Sequence, residues 1–380
     1  MIKRDFWIKK IEKAWKKRSI IWLAGVRRAG KTCLCQSLDG VEYFDCELPR
    51  VRRVLEDPEA FLRSMLNRRL ILDEIHRLPN PSELLKIAAD HYPSVRILAT
   101  GSSTLGASKK FRDTLTGRKE KIHLPPMLYH ELADFDEKTF SHRLLFGGLP
   151  PFFLADELIE SDYQEWLSSY WAKDIQELYH LEKKYSFMRF TELLLAQSGS
   201  MFEASRFASP CEVSRTTISS YLSVLETTYV AYIVRPFSTH PATEIISAPK
   251  VYGFDTGFVS HAKGWVHLRN EDLGQLWEHI ILNELTGQLQ GEKILYWRDK
   301  RDHEIDFVLE RRRKDEIITI ECKWNSSNFT PNNMKKFRAR YPKGENYVVG
   351  SDLDRPFVKK YEGVEVHFVS LPDLILHLSS

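Results

Sequence analysis

Gly25-Val26-Arg27-Arg28-Ala29-Gly30-Lys31-Thr32 fits the pattern G-x-x-x-x-G-K-[ST] at every fixed position. The run before it, Ile20-Ile21-Trp22-Leu23-Ala24, reads as a buried strand, and Thr32 to Leu38 read as the first turns of a helix. A glycine-rich turn between strand and helix points backbone N–H groups and a helix N-terminus at one spot, which suits phosphate oxygens. Lys31 is then expected to reach the β- and γ-phosphates of a nucleotide and Thr32 to hold Mg²⁺, with Gly25, Val26, Arg27, Arg28, Ala29 and Gly30 forming the cradle. A chance lysine in a glycine-rich turn would look the same, and a second motif argues against it.

Arg69-Leu70-Ile71-Leu72-Asp73-Glu74-Ile75-His76 is an apolar strand ending in two carboxylates, as expected of a parallel strand buried on both faces. Asp73 is expected in the Mg²⁺ shell and Glu74 beside the attacking water. A third strand, Val95 to Ala99, ends in Thr100-Gly101-Ser102-Ser103, where Thr100 and Ser102 supply hydroxyls to sense a γ-phosphate, although turn chemistry alone favours the same residues. From Ile20 to His123 strands and helices alternate, with Ser82 to His91 a helix, which predicts a doubly wound α/β nucleotide-binding domain.

The chain has 380 residues, 43% hydrophobic and 28% charged, so it is long enough for two or three domains with their own cores. The net charge of +3 permits nucleic-acid binding without requiring it. Lys9, Lys10, Lys13, Lys16, Lys17 and Arg18 line an N-terminal amphipathic helix and Arg311, Arg312, Arg313 and Lys314 form a block; solvated faces explain both by default. The five cysteines are scattered, with no C-x-x-C pair, which argues against a zinc site or a disulfide framework. No apolar run follows the N-terminal charges or approaches membrane-spanning length, so a cytoplasmic location without a membrane partner is expected.

The organisation predicted is 1–124 for the nucleotide-binding core, 125–195 for a helical, lid-like region, 196–265 for a winged-helix-like domain and 266–380 for a last α/β domain. Phe146-Gly147-Gly148-Leu149-Pro150-Pro151 interrupts the helical region as a sharp turn. Ala204 to Ala208, a turn, a helix from Arg215 to Thr228 capped by Ser214, and a strand from Val230 to Pro236 follow the order of a winged helix. Ile218, Tyr221, Leu222 and Leu225 form its apolar face, leaving Arg215, Thr216, Ser219 and Ser220 outward as weak candidates for DNA contact. A helical hairpin used only for packing has the same pattern.

In the last domain, Trp277 to Leu285 is helical in period, and Glu304-Ile305-Asp306-Phe307-Val308-Leu309 and Ile317-Ile318-Thr319-Ile320-Glu321-Cys322-Lys323-Trp324 read as neighbouring strands. Alternation puts Glu321 and Lys323 on one face. With Asp306 and Glu278 they make a cluster suited to Mg²⁺ or Mn²⁺, Lys323 assisting the water; Glu304, Asp302 and Glu284 compete for the metal role. The alternative is a silent hairpin whose ion pairs only stabilise the fold.

On these motifs, together with Thr116-Gly117-Arg118 and Phe146 to Pro150, the chain resembles prokaryotic AAA-type P-loop ATPases that carry a C-terminal domain of unknown function with a PD-(D/E)XK nuclease-like fold. The resemblance implies ATP as cofactor, a homo-oligomeric ring and Arg118 as an arginine finger, with Arg112 its competitor. No proline precedes Asp306, a departure from the nuclease motif. The expected function is ATP hydrolysis by an oligomer acting on DNA, with a metal-dependent nuclease domain; the alternative is a nucleotide-controlled DNA- or protein-binding adaptor.

Overall fold

Strands β1 (Ile20–Ala24), β2 (Glu42–Asp45), β3 (Arg69–Asp73), β4 (Arg96–Thr100) and β5 (Lys119–His123) pair in parallel in the order β2-β3-β4-β1-β5. The computed structural model describes residues 2–101, 109–135, 139–157, 159–176, 179, 181, 183–238, 248–311 and 316–379; Ser102, Ser103, Arg312, Arg313 and Lys314 lie outside them. Every residue of β1 is buried, as its apolar run demands of a strand covered on both faces. Because the strands are parallel, the loops after Ala24, Asp73 and Thr100 emerge along one edge of the sheet.

The N-terminal helix Asp5–Trp15 buries Trp7, Ile11, Ala14 and Trp15, a stripe at helical spacing. Lys9, Lys13, Lys16, Lys17 and Arg18 are exposed, as expected. Lys10 departs from that picture: its Nζ donates to the carbonyls of Gly287 (2.8 Å) and Gln288 (3.0 Å), at the end of the helix Asn270–Leu289. An ammonium there satisfies carbonyls that have no partner within the helix. Burial, with Lys13 nearby, pulls Lys10 down to about 8.

Beyond this sheet the chain is helical up to β6 (Ser200–Met201), then runs through helices Ala204–Ala208 and Arg215–Thr227 into β7 (Ala231–Pro236) and β8 (Lys250–Gly253). Ser214 accepts from the Thr217 N–H, and Ile218, Tyr221, Leu222 and Leu225 are buried, as the capping and periodicity predict. β8 pairs antiparallel with both β6 and β7. β7 then joins β9 (Ile294–Arg298) in parallel, so these strands continue into β10 (Glu304–Arg311), β11 (Glu316–Lys323), β12 (Asn346–Gly350), β13 (Phe357–Tyr361) and β14 (Val364–Val369) as one sheet.

The glycine turn of the helical region has a packing reason. Asp255, ahead of the helix Thr256–Ala262, accepts from the N–H groups of Gly148 (2.6 Å) and Gly257 (2.9 Å). A Cβ on Gly147, where φ is 89°, would stand 1.9 Å from Asp255 Oδ1, and one on Gly257 would stand 2.2 Å from the Phe146 carbonyl. Arg143, 1% exposed, completes the joint by donating to the Met127 carbonyl and, at 2.8 Å, to Thr256 Oγ1.

Gly147→Ala is therefore expected to lower stability by at least about 2 kcal/mol, against about 1 kcal/mol for Gly264→Ala, where only the positive φ opposes a side chain. Denaturant melts measure both; equal losses would show that the Asp255 contact is dispensable.

Candidate functional site

The glycine-rich loop leaves β1 with no space for a side chain at its first position: a Cβ on Gly25 would lie 2.3 Å from the Leu124 carbonyl. Gly30 turns the chain into the helix Lys31–Gln36 with a left-handed φ of 91°, a conformation that favours glycine. The loop is braced from the N-terminus by Arg4. Its Nη1 donates to the Ala29 carbonyl at 2.9 Å, while Nε and Nη2 meet both Glu131 oxygens at 2.7 and 2.8 Å. Both partners are almost fully buried. A forked, fully hydrogen-bonded pair of this kind restrains geometry, and losing one partner costs roughly 3–5 kcal/mol.

Lys31 Nζ lies 3.0 Å from the carbonyls of both Gly25 and Val26. Burial lowers its affinity for the proton, against the opposing pull of Glu74, Asp174 and Asp73. Asp73, 2% exposed, is the hub of the site. Its Oδ2 accepts from Thr32 Oγ1 (2.9 Å) and Tyr43 OH (2.5 Å), and its Oδ1 accepts from Thr100 Oγ1. The hydroxyl and carboxylate oxygens of Thr32 and Asp73 fit one Mg²⁺ shell. Thr100 also accepts from the Glu74 N–H at 3.1 Å, which helps hold Glu74 in a left-handed conformation (φ 53°). Backbone of that kind costs a non-glycine residue about 1–2 kcal/mol and is found at functional sites. Burial works to raise the Glu74 carboxyl, but the hydrogen bond from His76 at 3.0 Å and the charges of His76, Lys31 and Arg27 outweigh it. Its value falls below the ordinary one, which keeps it ionised at neutral pH.

The opposite wall comes from the helical region. A cavity of about 580 Å³ is lined by Gly30, Lys31 and Glu74 on one side and by Pro150, Glu165 and Lys173 on the other. Helix Glu160–Tyr170 runs into a wider π-helical turn, Trp171–Gln176, that brings Asp174 to 3.6 Å from Arg27. Arg28 pairs with Glu165 at 2.5 Å, and Trp166 Nε1 donates to the Arg27 carbonyl at 3.2 Å. The two arginines at variable loop positions thus anchor the wall. Tyr43, His76, Glu165 and Asp174 were not visible as site residues in the sequence, because their partners lie on other elements; the helical spacing of Glu165, Ser169 and Lys173 was the only available signal.

Arg118 sits elsewhere. It precedes β5, whose first residue, Lys119, is level with Ile20 at the start of β1, so it lies at the opposite edge of the sheet from Lys31. There it makes a two-pronged pair with Asp90 at 2.6 and 3.0 Å. Arg112 is exposed on the helix Lys109–Thr114.

The carboxylate cluster does assemble. β10 and β11 pair with Phe307 opposite Ile320, and a register shift between Ile305 and Val308 marks a bulge at Asp306. Asp306 Oδ2 accepts the Cys322 N–H at 2.7 Å; Lys323 Nζ lies 2.8 Å from Glu321 and 3.9 Å from Asp306. Two residues of β8 join them. Lys250 Nζ reaches Glu304 at 2.5 Å and Glu278 at 3.4 Å, and the Tyr252 hydroxyl donates to Glu278. Burial, reinforced by Asp306, raises the carboxyl groups of both Glu278 and Glu321. The lysines' ammoniums stand among the carboxylates, and among the described residues no three His, Cys, Asp or Glu side chains converge as ligands. This arrangement does not fit a divalent cation. The competitors separate cleanly: Glu284 is buried on the Tyr129 N–H (2.9 Å) and His130 (2.7 Å), and Asp302 pairs with exposed Arg298.

The outward face of helix Arg215–Thr227 has Arg215, Thr216, Ser219 and Ser220 exposed, but the Ser219 and Ser220 hydroxyls donate to the carbonyls of Arg215 and Thr216, each at 3.1 Å. No helix among the described residues is long and apolar enough to cross a membrane.

Residues 17–133 match an AAA domain, residues 137–269 a domain of unknown function (DUF8612) and residues 273–373 a second one (DUF4143). The first segment is thus an AAA-type ATPase-like domain, of a kind that takes nucleotide and typically Mg²⁺. An uncharacterised protein of Mycobacterium tuberculosis is 26% identical over 313 residues, spanning 79% of this chain and 70% of its own. One of Methanocaldococcus jannaschii is 23% identical over 364 residues, 86% of this chain and 79% of its own. Among solved structures, a Walker-type ATPase of Pyrococcus abyssi aligns with 70% of this chain and 96% of its own at 14% identity and a TM-score of 0.43.

Calorimetric titration with ATP should give saturable binding that Lys31→Ala weakens at least about tenfold through loss of a charged phosphate contact. Thr32→Val should bind ATP alone normally yet lose the gain that Mg²⁺ confers. If Mg²⁺ leaves the wild-type affinity unchanged, the role given to Thr32 and Asp73 is wrong.

Proposed function

We propose that this chain is an ATP-hydrolysing AAA-type protein that works as a homo-oligomeric ring on DNA, its C-terminal α/β region serving as an adaptor. The observation that carries the reading is the two-sided cavity. Lys31, Thr32, Asp73 and Glu74 line or border it from the parallel sheet, and Pro150, Glu165 and Lys173 close it from the helical region. A nucleotide bound there touches both sides, so its hydrolysis changes how they meet. Glu74, ionised and held by His76, is suited to orient the attacking water. Thr100 shares Asp73 with Thr32 and is placed to register the γ-phosphate; Ser102 keeps that role as an expectation from the sequence.

Arg118 lies too far from its own cavity to serve it, and its position on the opposite edge suits a group offered to a neighbouring subunit. Exchange of Asp90 for a phosphate would keep the guanidinium paired in both states. Arg118→Ala should retain ATP affinity but lose turnover by roughly 10³-fold or more, and Glu74→Gln should do likewise. Mixing Arg118→Ala with Lys31→Ala should restore part of the ATPase rate, since each supplies what the other lacks. A wild-type protein that is fully active as a monomer in light scattering would end the ring reading.

DNA is favoured by the helix-turn-helix and β7–β8 order, which matches a winged helix, with Arg215, Thr216 and Ser219 on its open face. With hydroxyls turned back on their own helix, contact there is phosphate-directed rather than base-reading. The adaptor reading of residues 266–380 is supported by Lys250 and Lys323, which balance the carboxylates that a nuclease would keep for metal. Affinity for duplex DNA should fall steeply between low and moderate salt and weaken on Arg215→Glu. Supercoiled DNA should stay intact with Mg²⁺ or Mn²⁺. Nicking by wild type that Asp306→Ala abolishes would restore the nuclease reading, and salt-independent binding would point to a protein partner.

A further inference from the structure

A separate cavity of about 510 Å³ lies where β5 faces β7, β9 and the end of the helix Asn270–Leu289. Its volume is in the range of small-molecule sites, and such sites favour junctions between domains. One wall is aromatic. The rings of His123 and Tyr229 stack at 4.4 Å and 21°, with Tyr232 edge-on to His123 at 6.1 Å. Val234, Leu285 and Leu289 line the cavity with them.

Two polar atoms in this wall, His123 Nε2 and the Tyr232 hydroxyl, are shielded from solvent and have no hydrogen-bond partner among the described residues. His123 is 8% exposed, and its main-chain N–H and C=O are both used by the Gln290 side-chain amide at 2.8 Å, so the unanswered group is the ring itself. Burial pulls His123 down to about 3 and raises the Tyr232 phenol, which leaves both neutral at neutral pH. Buried polar atoms are nearly always partnered, and two orphans side by side on a flat apolar wall point to a ligand that supplies the partners. A lipid tail has no polar edge to meet them, and a phosphate would need charged donors in place of a neutral imidazole and a phenol.

We propose that this cavity binds a flat heteroaromatic ring with neighbouring donor and acceptor atoms, a nucleobase in the form of a free nucleoside. The ring lies against the His123–Tyr229 stack and its polar edge meets His123 Nε2 and the Tyr232 hydroxyl. The site is distinct from the Lys31 cavity, which recognises phosphates.

The test is calorimetric titration of the full chain with adenosine, guanosine, cytidine and uridine, none of which carries a phosphate for Lys31. At least one should bind saturably with one site per chain. Tyr232→Phe should weaken it about tenfold, the scale of one lost hydrogen bond to a buried group, while the thermal midpoint of the ligand-free protein stays level or rises because an unpartnered hydroxyl is gone. Thr286→Trp, which fills the cavity from the helix, should abolish binding, and Lys31→Ala should leave it unchanged. Absence of binding by all four nucleosides, equal affinity in Tyr232→Phe, or loss of binding in Lys31→Ala would each overturn the assignment.

Discussion

Asp255 accepts main-chain hydrogen bonds in a space where no Cβ fits, and the arrangement of the whole molecule follows from that contact. Gly147 and Gly148 can approach the carboxylate only because they have no side chains, and Gly257 lets the next helix start against the Phe146 carbonyl. Burial alone would raise the Asp255 carboxyl; Arg143 and the N–H groups of Gly148, Phe258 and Gly257 oppose that. The joint fixes Leu149-Pro150-Pro151 beside the glycine-rich loop, so the same turn that grips the C-terminal half lines the nucleotide cavity. From Asp255 the chain leads back through β8 to Lys250, on Glu278 and Glu304. The two candidate sites are thus connected by short, buried, directional contacts, which can carry a change at one to the other only if the joint has two arrangements.

A second set of contacts holds the long helix Asn270–Leu289 to the ATPase-like domain. Lys10 satisfies its last carbonyls, Gln290 pairs with both main-chain groups of His123 on the outer strand β5, and Glu284 accepts the Tyr129 N–H. Gln290 adopts a left-handed conformation (φ 41°) that ends the helix and turns its amide toward β5. An edge strand offers unpaired N–H and C=O groups, and here a side-chain amide takes the place of another strand. Gly287 leaves room for Leu128, where a Cβ would come within 2.7 Å. The boundary between the two halves is specified by hydrogen bonds and one glycine, with little freedom to slide.

Sequence reasoning succeeded where chemistry is local. The G-x-x-x-x-G-K-T run, the strand ending Asp73-Glu74, the Ser214 cap and the alternation of Glu321 and Lys323 are patterns within one element, and the structure reproduces each. It was blind where partners come from distant elements. Nothing near Tyr43 announces its bond to Asp73, nothing near Arg4 announces Glu131, and Lys10 looks like any solvated lysine until Gly287 and Gln288 are placed. The turn Phe146 to Pro151 was legible as a turn, but its two glycines are explained only by Asp255, more than a hundred residues on.

The C-terminal cluster shows why a motif alone does not fix a chemistry. Glu278, Glu304, Asp306 and Glu321 come from one helix and two strands, and an isolated set of this kind could not remain ionised in a buried setting. Lys323 was visible in the E-x-K spacing, whereas Lys250 arrives from β8, a strand outside the motif. Two ammoniums leave two negative charges unmatched inside the set, and burial raises the two carboxyls, Glu278 and Glu321, that can take up protons instead. Protons and lysines then balance the cluster. The nuclease-like motif is retained in outline, with its charges answered by the protein itself and with β8 tied to the sheet through the same lysine.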